Sequence, residues 1–367
     1  MAIATDMAPS ANLSAGLAPR PGKDPMRRGA AERLVPDHGG DLVAARALFP
    51  GAPEPFLDLS TGINPNPYPM PPLPPDVLAR LPDSATLAKL ASVAATTYGA
   101  PSADCVVPAP GTQLLLPLVA GLVEPGRAGI VAPTYAEHSR AATLAGHRVT
   151  EFRDIGAIRD ARLVIITNPN NPDGREFAKA ELIALAKSLK RRGGLLVIDE
   201  AFMEVGRPET SLATELAFGN VVVLRSFGKF FGLAGLRLGF ALAAPSLAAR
   251  LSARLGPWAI SGPALTAGTQ ALADQAWINN TKSKLAAAST RLDRILFEAG
   301  LEIVGGTTLF RLARSVRAGD LFEHLGRCGI FVRRFADHSE WLRFGLPAAD
   351  QDWRRLQSAM AVFNGKG

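Results

Sequence analysis

Short apolar runs alternate with segments of helical periodicity between residues 86 and 245. This alternation is typical of a mostly parallel β-sheet whose faces are covered by helices. The apolar runs predicted to form strands are residues 105–107, 129–132, 163–167, 195–198, 221–224 and 238–241. The segments predicted to form helices between them are residues 113–123, 136–145 and 179–191. The pattern therefore predicts an α/β domain, in which ligands bind at the carboxyl ends of the strands.

The segments on either side of this domain differ from it in composition and periodicity. Residues 1–34 are rich in Ala, Pro, Gly and polar side chains without periodicity, and we expect a flexible tail there. Residues 35–85 include a proline-dense stretch, predicted to be an arm that completes a smaller domain. Residues 86–261 form the predicted large domain. Residues 262–367 form a small α+β domain, with predicted helices over 264–299 and 353–362.

Composition excludes several classes of protein. The 367 residues are 47% hydrophobic and 20% charged, which excludes disordered and fibrous chains. The longest nearly uncharged apolar stretch, residues 113–123, is well short of a membrane span. No secretory signal is visible, and two cysteines are too few for a disulfide framework. We therefore expect a soluble protein of the reducing cytoplasm.

The net charge of +7 suggests an anionic partner. However, no basic run is longer than residues 190–192, and no basic stripe is interleaved with aromatic residues. We therefore expect neither a nucleic acid nor a membrane as partner. Most of the positive charges are interpreted as solvated surface, and a few arginines as ligands of a phosphorylated or carboxylated small molecule.

Unusual residues follow four of the predicted strands. They are residues 110–113 (Pro-Gly-Thr-Gln), 168–174 (Asn-Pro-Asn-Asn-Pro-Asp-Gly), 199–202 (Asp-Glu-Ala-Phe) and 225–239, which contain Lys229 and Arg237. A phosphate-loop nucleotidase is excluded because no G-x-x-x-x-G-K-[ST] segment exists. The glycines at 232, 235 and 239 also lack the G-x-G-x-x-G spacing of a dinucleotide site. We expect no metal site.

Taken together and in this order, the four segments resemble the fold-type I pyridoxal-phosphate enzymes of the class I/II aminotransferase group, over about residues 36–350. The resemblance implies a three-layer, mostly parallel-sheet transferase fold with a smaller C-terminal domain, a homodimer, and pyridoxal 5'-phosphate as cofactor. It implies that Lys229 forms the Schiff base and that Asp199 holds the pyridine nitrogen protonated. The other implied cofactor ligands are Gly111, Thr112, Gln113, Tyr135, His138, Asn171, Ser226 and Arg237. Tyr135 and His138 are both candidates to stack on the ring.

Three further segments, residues 38–41, 57–65 and 330–343, resemble the threonine-phosphate decarboxylase family of cobalamin biosynthesis. This resemblance implies decarboxylation of L-threonine O-3-phosphate to (R)-1-amino-2-propanol O-2-phosphate. Arg343 would bind the substrate carboxylate, because a planar guanidinium matches a carboxylate with two hydrogen bonds. Asn171 is implied as a further substrate ligand. The implied ligands of the substrate phosphate are His38, Gly39, Asn64 and Arg333.

Two alternatives remain open. One is an aminotransferase acting on histidinol phosphate or another amino acid, since both reactions share the scaffold. The chain departs from that group at Phe202, where a Tyr is usual, and at Leu81-Pro82, where Tyr-Pro is usual. The other is a non-catalytic pyridoxal-phosphate regulator, which would need a helix-turn-helix arm that residues 1–34 are too short and too rich in Pro and Gly to supply.

Overall fold

The computed structural model describes residues 38–70 and 72–364, so the predicted tail over 1–34 lies outside the described residues. Within those ranges the strands are β1 (Leu57–Leu59), β2 (Val106–Ala109), β3 (Arg127–Val131), β4 (Arg148–Phe152), β5 (Leu163–Thr167), β6 (Leu195–Asp199), β7 (Val221–Ser226), β8 (Gly239–Ala243), β9 (Glu302–Thr307), β10 (Phe310–Arg314), β11 (Ile330–Phe335) and β12 (His338–Gly345). The α-helices of the same ranges are α1 (Leu42–Leu48), α2 (Pro75–Ala79), α3 (Ser84–Tyr98), α4 (Thr112–Ala120), α5 (Glu137–Leu144), α6 (Lys179–Lys190), α7 (Phe227–Phe230), α8 (Pro245–Leu255), α9 (Gly262–Ala273), α10 (Gln275–Glu298), α11 (Ala318–Arg327) and α12 (Asp350–Asn364).

The larger sheet has seven strands in the order β2-β8-β7-β6-β5-β3-β4. All its pairs are parallel except those of β8, which runs antiparallel to both β2 and β7. Every residue of β5, β6 and β7 is buried, which explains why these strands are continuous apolar runs rather than alternating ones. The carboxyl ends of β5, β6 and β7 consequently meet at one edge of the sheet. The α/β prediction is confirmed.

The smaller sheet has five strands in the order β1-β11-β12-β10-β9. Strand β1, from the proline-rich N-terminal arm, pairs in parallel with β11, and the other pairs are antiparallel. Helix α11 packs on β11 and β12, while α10 packs on β9 and β10. Residues from the two ends of the described chain therefore lie side by side in this sheet. The predicted domain boundaries themselves remain predictions.

The predicted elements differ from the structure at one helix and at one strand of the larger sheet. The prediction of a single helix over residues 264–299 is wrong, because the helix is interrupted at Asp274. This residue ends α9 and caps α10 by accepting a hydrogen bond from the backbone N–H of Trp277 at 2.9 Å. Strand β4 has no counterpart among the predicted strands. It is an edge strand with no buried residue, so its sequence lacks the apolar run that indicates a central strand.

Across the described ranges, none of the helices combines the length and the apolar character that crossing a membrane requires.

Candidate active site

Lys229 lies in the short helix α7, directly after the carboxyl end of β7. Its neighbours Phe227 and Phe230 are fully buried. The backbone N–H of Asn64 donates to the carbonyl of Lys229, and the Asn64 side-chain amide donates to the carbonyl of Phe230, both at 2.9 Å. The N-terminal arm thus holds the backbone around the lysine in place.

The surroundings of Lys229 favour its neutral amine. Burial lowers the pKa of Lys229 to about 8, aided by the positive charges of Arg343 and Arg237 and opposed by Asp199. An amine with this pKa is partly deprotonated near neutral pH. It can therefore act as a nucleophile or exchange a proton there.

Asp199 ends β6 and is oriented by two hydrogen bonds. Its Oδ2 lies 2.8 Å from Nε2 of His138, and its Oδ1 accepts the backbone N–H of Ala201 at 3.1 Å. The His138 side chain is 0% exposed, and its Nδ1 lies 3.5 Å from Oγ1 of Thr167. The carboxylate is thus held in one orientation at the edge of the sheet where the lysine also lies.

Tyr135 stands beside this pair. Its ring is nearly perpendicular to that of His138, with centroids 5.5 Å apart, and its hydroxyl donates to Oε1 of Gln113 at 3.0 Å. Burial raises the pKa of Tyr135 to about 12, aided by Glu137 and Asp199. Because His138 is engaged with Asp199, we retain Tyr135 for the stacking role as a proposal.

The segment before α4 is shaped for an anion. Gly111 has φ +84°, and a Cβ placed on it would lie 2.7 Å from Nη2 of Arg237. A Cβ on Gly239 would lie 2.7 Å from the backbone nitrogen of Thr112. Glycine at 111 lets a guanidinium approach the amino end of α4, and glycine at 239 lets β8 pack closely against the backbone there. Backbone N–H groups and the helix dipole favour negative charge at such a helix end. Ser226 is buried at the end of β7, and in the described chain its side chain makes no capping hydrogen bond to α7.

Arg343, on β12, is a second buried cation. It donates through Nη1 to Oδ1 of Asn171 and through Nη2 to the carbonyl of Ser60 at 2.8 Å. Its Nε is buried and has no hydrogen-bond partner among the described residues. Burial lowers the pKa of Arg343 to about 9; the charge of Arg333 adds to this effect and Asp58 opposes it. An anionic ligand would offset the cost of burying the charge of Arg343 and would reduce its repulsion with Arg333.

Some of the predicted phosphate ligands lie near Arg343. Arg333 lies on the adjacent strand β11, directly opposite Arg343 in the register. Together with His38 and Gly39, Arg333 lines one narrow cavity. Asn64 differs, because its side chain already bonds the backbone of Phe230 and of Asn66. The structure thus gives Asn64 a role in holding the lysine segment, and its contact with substrate stays a prediction.

Sequence reasoning did not identify Glu137 as part of this site. Its buried carboxylate accepts Nε2 of Gln113 at 2.7 Å, and its Oε1 lies 3.3 Å from Nε2 of His38. It therefore joins a predicted cofactor ligand to a predicted substrate ligand. No signal in the sequence marks it beyond its place two residues after Tyr135.

A buried ion network that the sequence analysis did not predict lies next to the site. Arg225 donates to Glu200 at 3.1 Å and to Glu204 at 2.9 Å, and all three side chains are buried. Burial alone would lower the pKa of Arg225, but Glu204 and Glu200 raise it above its ordinary value. Since Arg225 precedes Ser226 and Glu200 follows Asp199, the network ties the ends of β6 and β7 together.

The two departures from the aminotransferase pattern occupy different environments. Phe202 packs edge-on against Phe310, with ring centroids 5.1 Å apart, so an apolar contact replaces the hydroxyl usual at that position. Leu81 is 68% exposed in the single chain. The first change alters the interior of the site, and the second lies on the surface.

These residues fit pyridoxal phosphate. The cradle at Gly111, which a Cβ would fill, suits a phosphate group, and Asp199 is a buried, oriented carboxylate suited to a protonated ring nitrogen. Lys229 supplies an amine that its surroundings keep partly neutral. The donor set thus matches the charges of the cofactor at three separate points.

The comparison with known families agrees with this donor set. The family profile described as "Aminotransferase class I and II" matches residues 76–356. The chain belongs to the class I and II aminotransferase family. This membership confirms the predicted transferase fold and the dependence on pyridoxal phosphate.

Within the class I and II aminotransferase family, two relatives match nearly end to end. The chain is 44% identical over 330 residues to a threonine-phosphate decarboxylase of Sinorhizobium sp, covering 88% of this chain and 97% of the relative. It is 40% identical to a threonine-phosphate decarboxylase of Pseudomonas aeruginosa, with 89% and 98% covered.

Solved structures of the family share the fold. The histidinol-phosphate aminotransferase of Clostridium acetobutylicum superposes with a TM-score of 0.74 at 24% identity, covering 85% of this chain and all of that one. The histidinol-phosphate aminotransferase of Sinorhizobium meliloti, in complex with pyridoxal-5'-phosphate, gives a TM-score of 0.70 at 25% identity, with 79% and 84% covered.

Proposed function

We propose that this chain is a pyridoxal-phosphate-dependent threonine-phosphate decarboxylase. It converts L-threonine O-3-phosphate to (R)-1-amino-2-propanol O-2-phosphate and CO₂, within cobalamin biosynthesis. The observation that carries the proposal is the match to two threonine-phosphate decarboxylases at 44% and 40% identity over nearly their whole length.

The charges of the site support a substrate with two anionic groups. Arg343, whose buried Nε has no partner in the described part of the chain, would bind the carboxylate with Asn171 alongside. Arg333, His38 and the backbone N–H of Gly39 would bind the phosphate. Attachment at both anions and at the amino group would hold the bond between Cα and the carboxyl carbon in one orientation.

When bound, pyridoxal phosphate supplies an electron sink for the electron pair that remains on the substrate's α-carbon when one of its bonds breaks. Asp199, held by His138, would keep a proton on the pyridine nitrogen. Gly111, Thr112 and Arg237 would bind the cofactor phosphate, with Ser226 and Gln113 beside them, and Tyr135 would cover the ring. Asn171 would also donate to the phenolic oxygen.

Lys229 would act twice. Its partly neutral amine would bind the cofactor in the resting enzyme, and after CO₂ departs it would deliver a proton to Cα. Because burial lowers its pKa to about 8, the amine can both accept and give up a proton near neutral pH. The carboxyl group is thereby replaced by hydrogen, and the amino group stays on the product.

The test is a product assay on the purified holoenzyme. With L-threonine O-3-phosphate we expect CO₂ and aminopropanol phosphate in equal amounts, and no reaction from Lys229→Ala. A parallel reaction supplies histidinol phosphate and 2-oxoglutarate. Amino transfer in this parallel reaction, with no CO₂ released from threonine phosphate in the first, would show that the protein is an aminotransferase instead.

We also propose a cytoplasmic homodimer, as the resemblance implies. Light scattering of the holoenzyme at several concentrations measures the mass of the particle. A mass of one chain throughout would contradict the dimer.

A further inference from the structure

Ser60 lies where the first strand of the small sheet meets both proposed substrate-binding groups. Strand β1 pairs with β11 so that Leu59 is opposite Val332, and Ser60 therefore follows beside Arg333. Its side chain is fully buried.

The hydroxyl of Ser60 links two other groups. The backbone N–H of Gly40 donates to Ser60 Oγ at 2.8 Å, and Oγ donates to Oδ1 of Asp58 at 2.6 Å. The backbone N–H of Ser60 donates to the same carboxylate oxygen at 2.9 Å. Because a carboxylate is the stronger acceptor, Asp58 directs the hydroxyl hydrogen and leaves an oxygen lone pair facing Gly40.

The carbonyl of Ser60 serves the other substrate-binding group. It accepts Nη2 of Arg343 at 2.8 Å. A Cβ placed on Gly39 would lie 2.3 Å from this same carbonyl oxygen, so the backbone of Gly39 packs directly against it. One residue thus contacts the His38–Gly40 turn through its hydroxyl and Arg343 through its carbonyl.

We propose that Ser60 is a positioning residue that sets the distance between the phosphate-binding turn and the carboxylate-binding arginine, with Asp58 orienting its hydroxyl. This assignment rests on the proposed function. A set distance selects amino acids whose phosphate is on the β-carbon oxygen, because the two anions must reach both groups at once. In this role Ser60 acts through the turn and through Arg343, and it needs no contact of its own with either anion.

The experiment uses the holoenzyme and two inhibitors that each carry one anion. 1-Amino-2-propanol phosphate has the phosphate without the carboxylate, and L-threonine has the carboxylate without the phosphate. Ser60→Ala deletes the hydroxyl and keeps the carbonyl that holds Arg343. We expect the inhibition constant of aminopropanol phosphate to rise about tenfold and that of threonine to change by less than about twofold.

In Ser60→Ala the KM for threonine phosphate should rise in parallel with the inhibition constant of aminopropanol phosphate, while kcat changes little. Ser60→Cys nearly preserves the volume and keeps a weak acceptor, so it should give the same selective pattern with a smaller rise, and it decides the matter if Ser60→Ala does not fold. Ser283→Ala, an exposed serine on α10, should change neither constant.

The two possible failures are distinct. A wild-type enzyme that releases no CO₂ from threonine phosphate overturns the proposed function and this assignment with it. If the wild type releases CO₂ but the Ser60 variants weaken both inhibitors equally, or neither, only the positioning role is overturned.

Discussion

Replacing Lys229 with Met should make the cofactor-free protein more stable at neutral pH. Burial, aided by Arg343, lowers the pKa of Lys229 from its ordinary 10.5 to about 8 in the folded chain. Below pH 8 the ammonium is charged in both states, and the folded state bears the full cost of burying it. Between pH 8 and 10.5 the unfolded chain binds a proton that the folded chain does not, so stability rises with pH.

The difference between a pKa of 10.5 and one of about 8 corresponds to roughly 3 kcal/mol of unfolding free energy. Met has a similar length and no charge, so Lys229→Met should be more stable than the wild type by up to that amount at pH 7. The advantage should shrink steadily as the pH approaches 10.5.

Urea unfolding of both apoproteins, followed by circular dichroism at pH 7, 8, 9 and 10, measures the change. Lys284→Met, at an exposed position of α10, serves as the control, and its difference from the wild type should not vary with pH. A pH-independent difference for Lys229→Met would refute the argument. It would mean that Asp199 compensates the buried ammonium completely.

Three further substitutions test other parts of the site. Gly111→Ala puts a Cβ at positive φ and 2.7 Å from the Arg237 guanidinium, so pyridoxal phosphate should bind about tenfold more weakly in a fluorescence titration. His138→Leu removes the 2.8 Å partner of Asp199, and kcat should fall about 10- to 100-fold in the CO₂ assay. Arg225→Leu leaves two buried glutamates unpaired and should cost about 3–5 kcal/mol in urea unfolding.

Each substitution has a matched control. Gly219→Ala also adds a Cβ at positive φ, but apart from its chain neighbours no described residue has an atom within 4 Å of it, so stability should fall without loss of cofactor affinity. His147→Leu removes a buried histidine that bonds only backbone atoms in the described chain, so kcat should stay within about twofold of the wild type. Arg314→Leu breaks an exposed pair with Glu302 and should cost less than about 1 kcal/mol. Equal effects in substitution and control would contradict the reasoning.

The positions of the proposed cofactor-binding residues could be predicted from the sequence because these residues follow strand ends. Parallel strands bring their carboxyl ends to one edge, and in the structure Thr167 is in register with Asp199 on the neighbouring strand. Lys229 follows the next strand of the same sheet. Once the strands were identified, the position of these residues needed no long-range information.

The surroundings of the proposed substrate-binding residues could be predicted only in outline. The interaction of Ser60 with Arg343, and that of His38 with Glu137, join segments far apart in the chain. Neither partner is marked by local periodicity or by a turn pattern. The end of α9 at Asp274 was missed because the local sequence is misleading there. Residues compatible with a helix continue on both sides of Asp274, which ends α9 and also caps α10.

The parallel pair of β1 and β11 has a consequence for the order in which this protein matures on the ribosome. Leu57 is paired with Ile330, so β1 must wait for about 270 further residues before its neighbour in the sheet exists. At ordinary rates of translation the wait is about 15 to 55 seconds. The seven strands of the larger sheet, the last of which ends at Ala243, can be in place well before then. The proposed substrate-binding groups, which come from both ends of the described chain, are therefore brought together last.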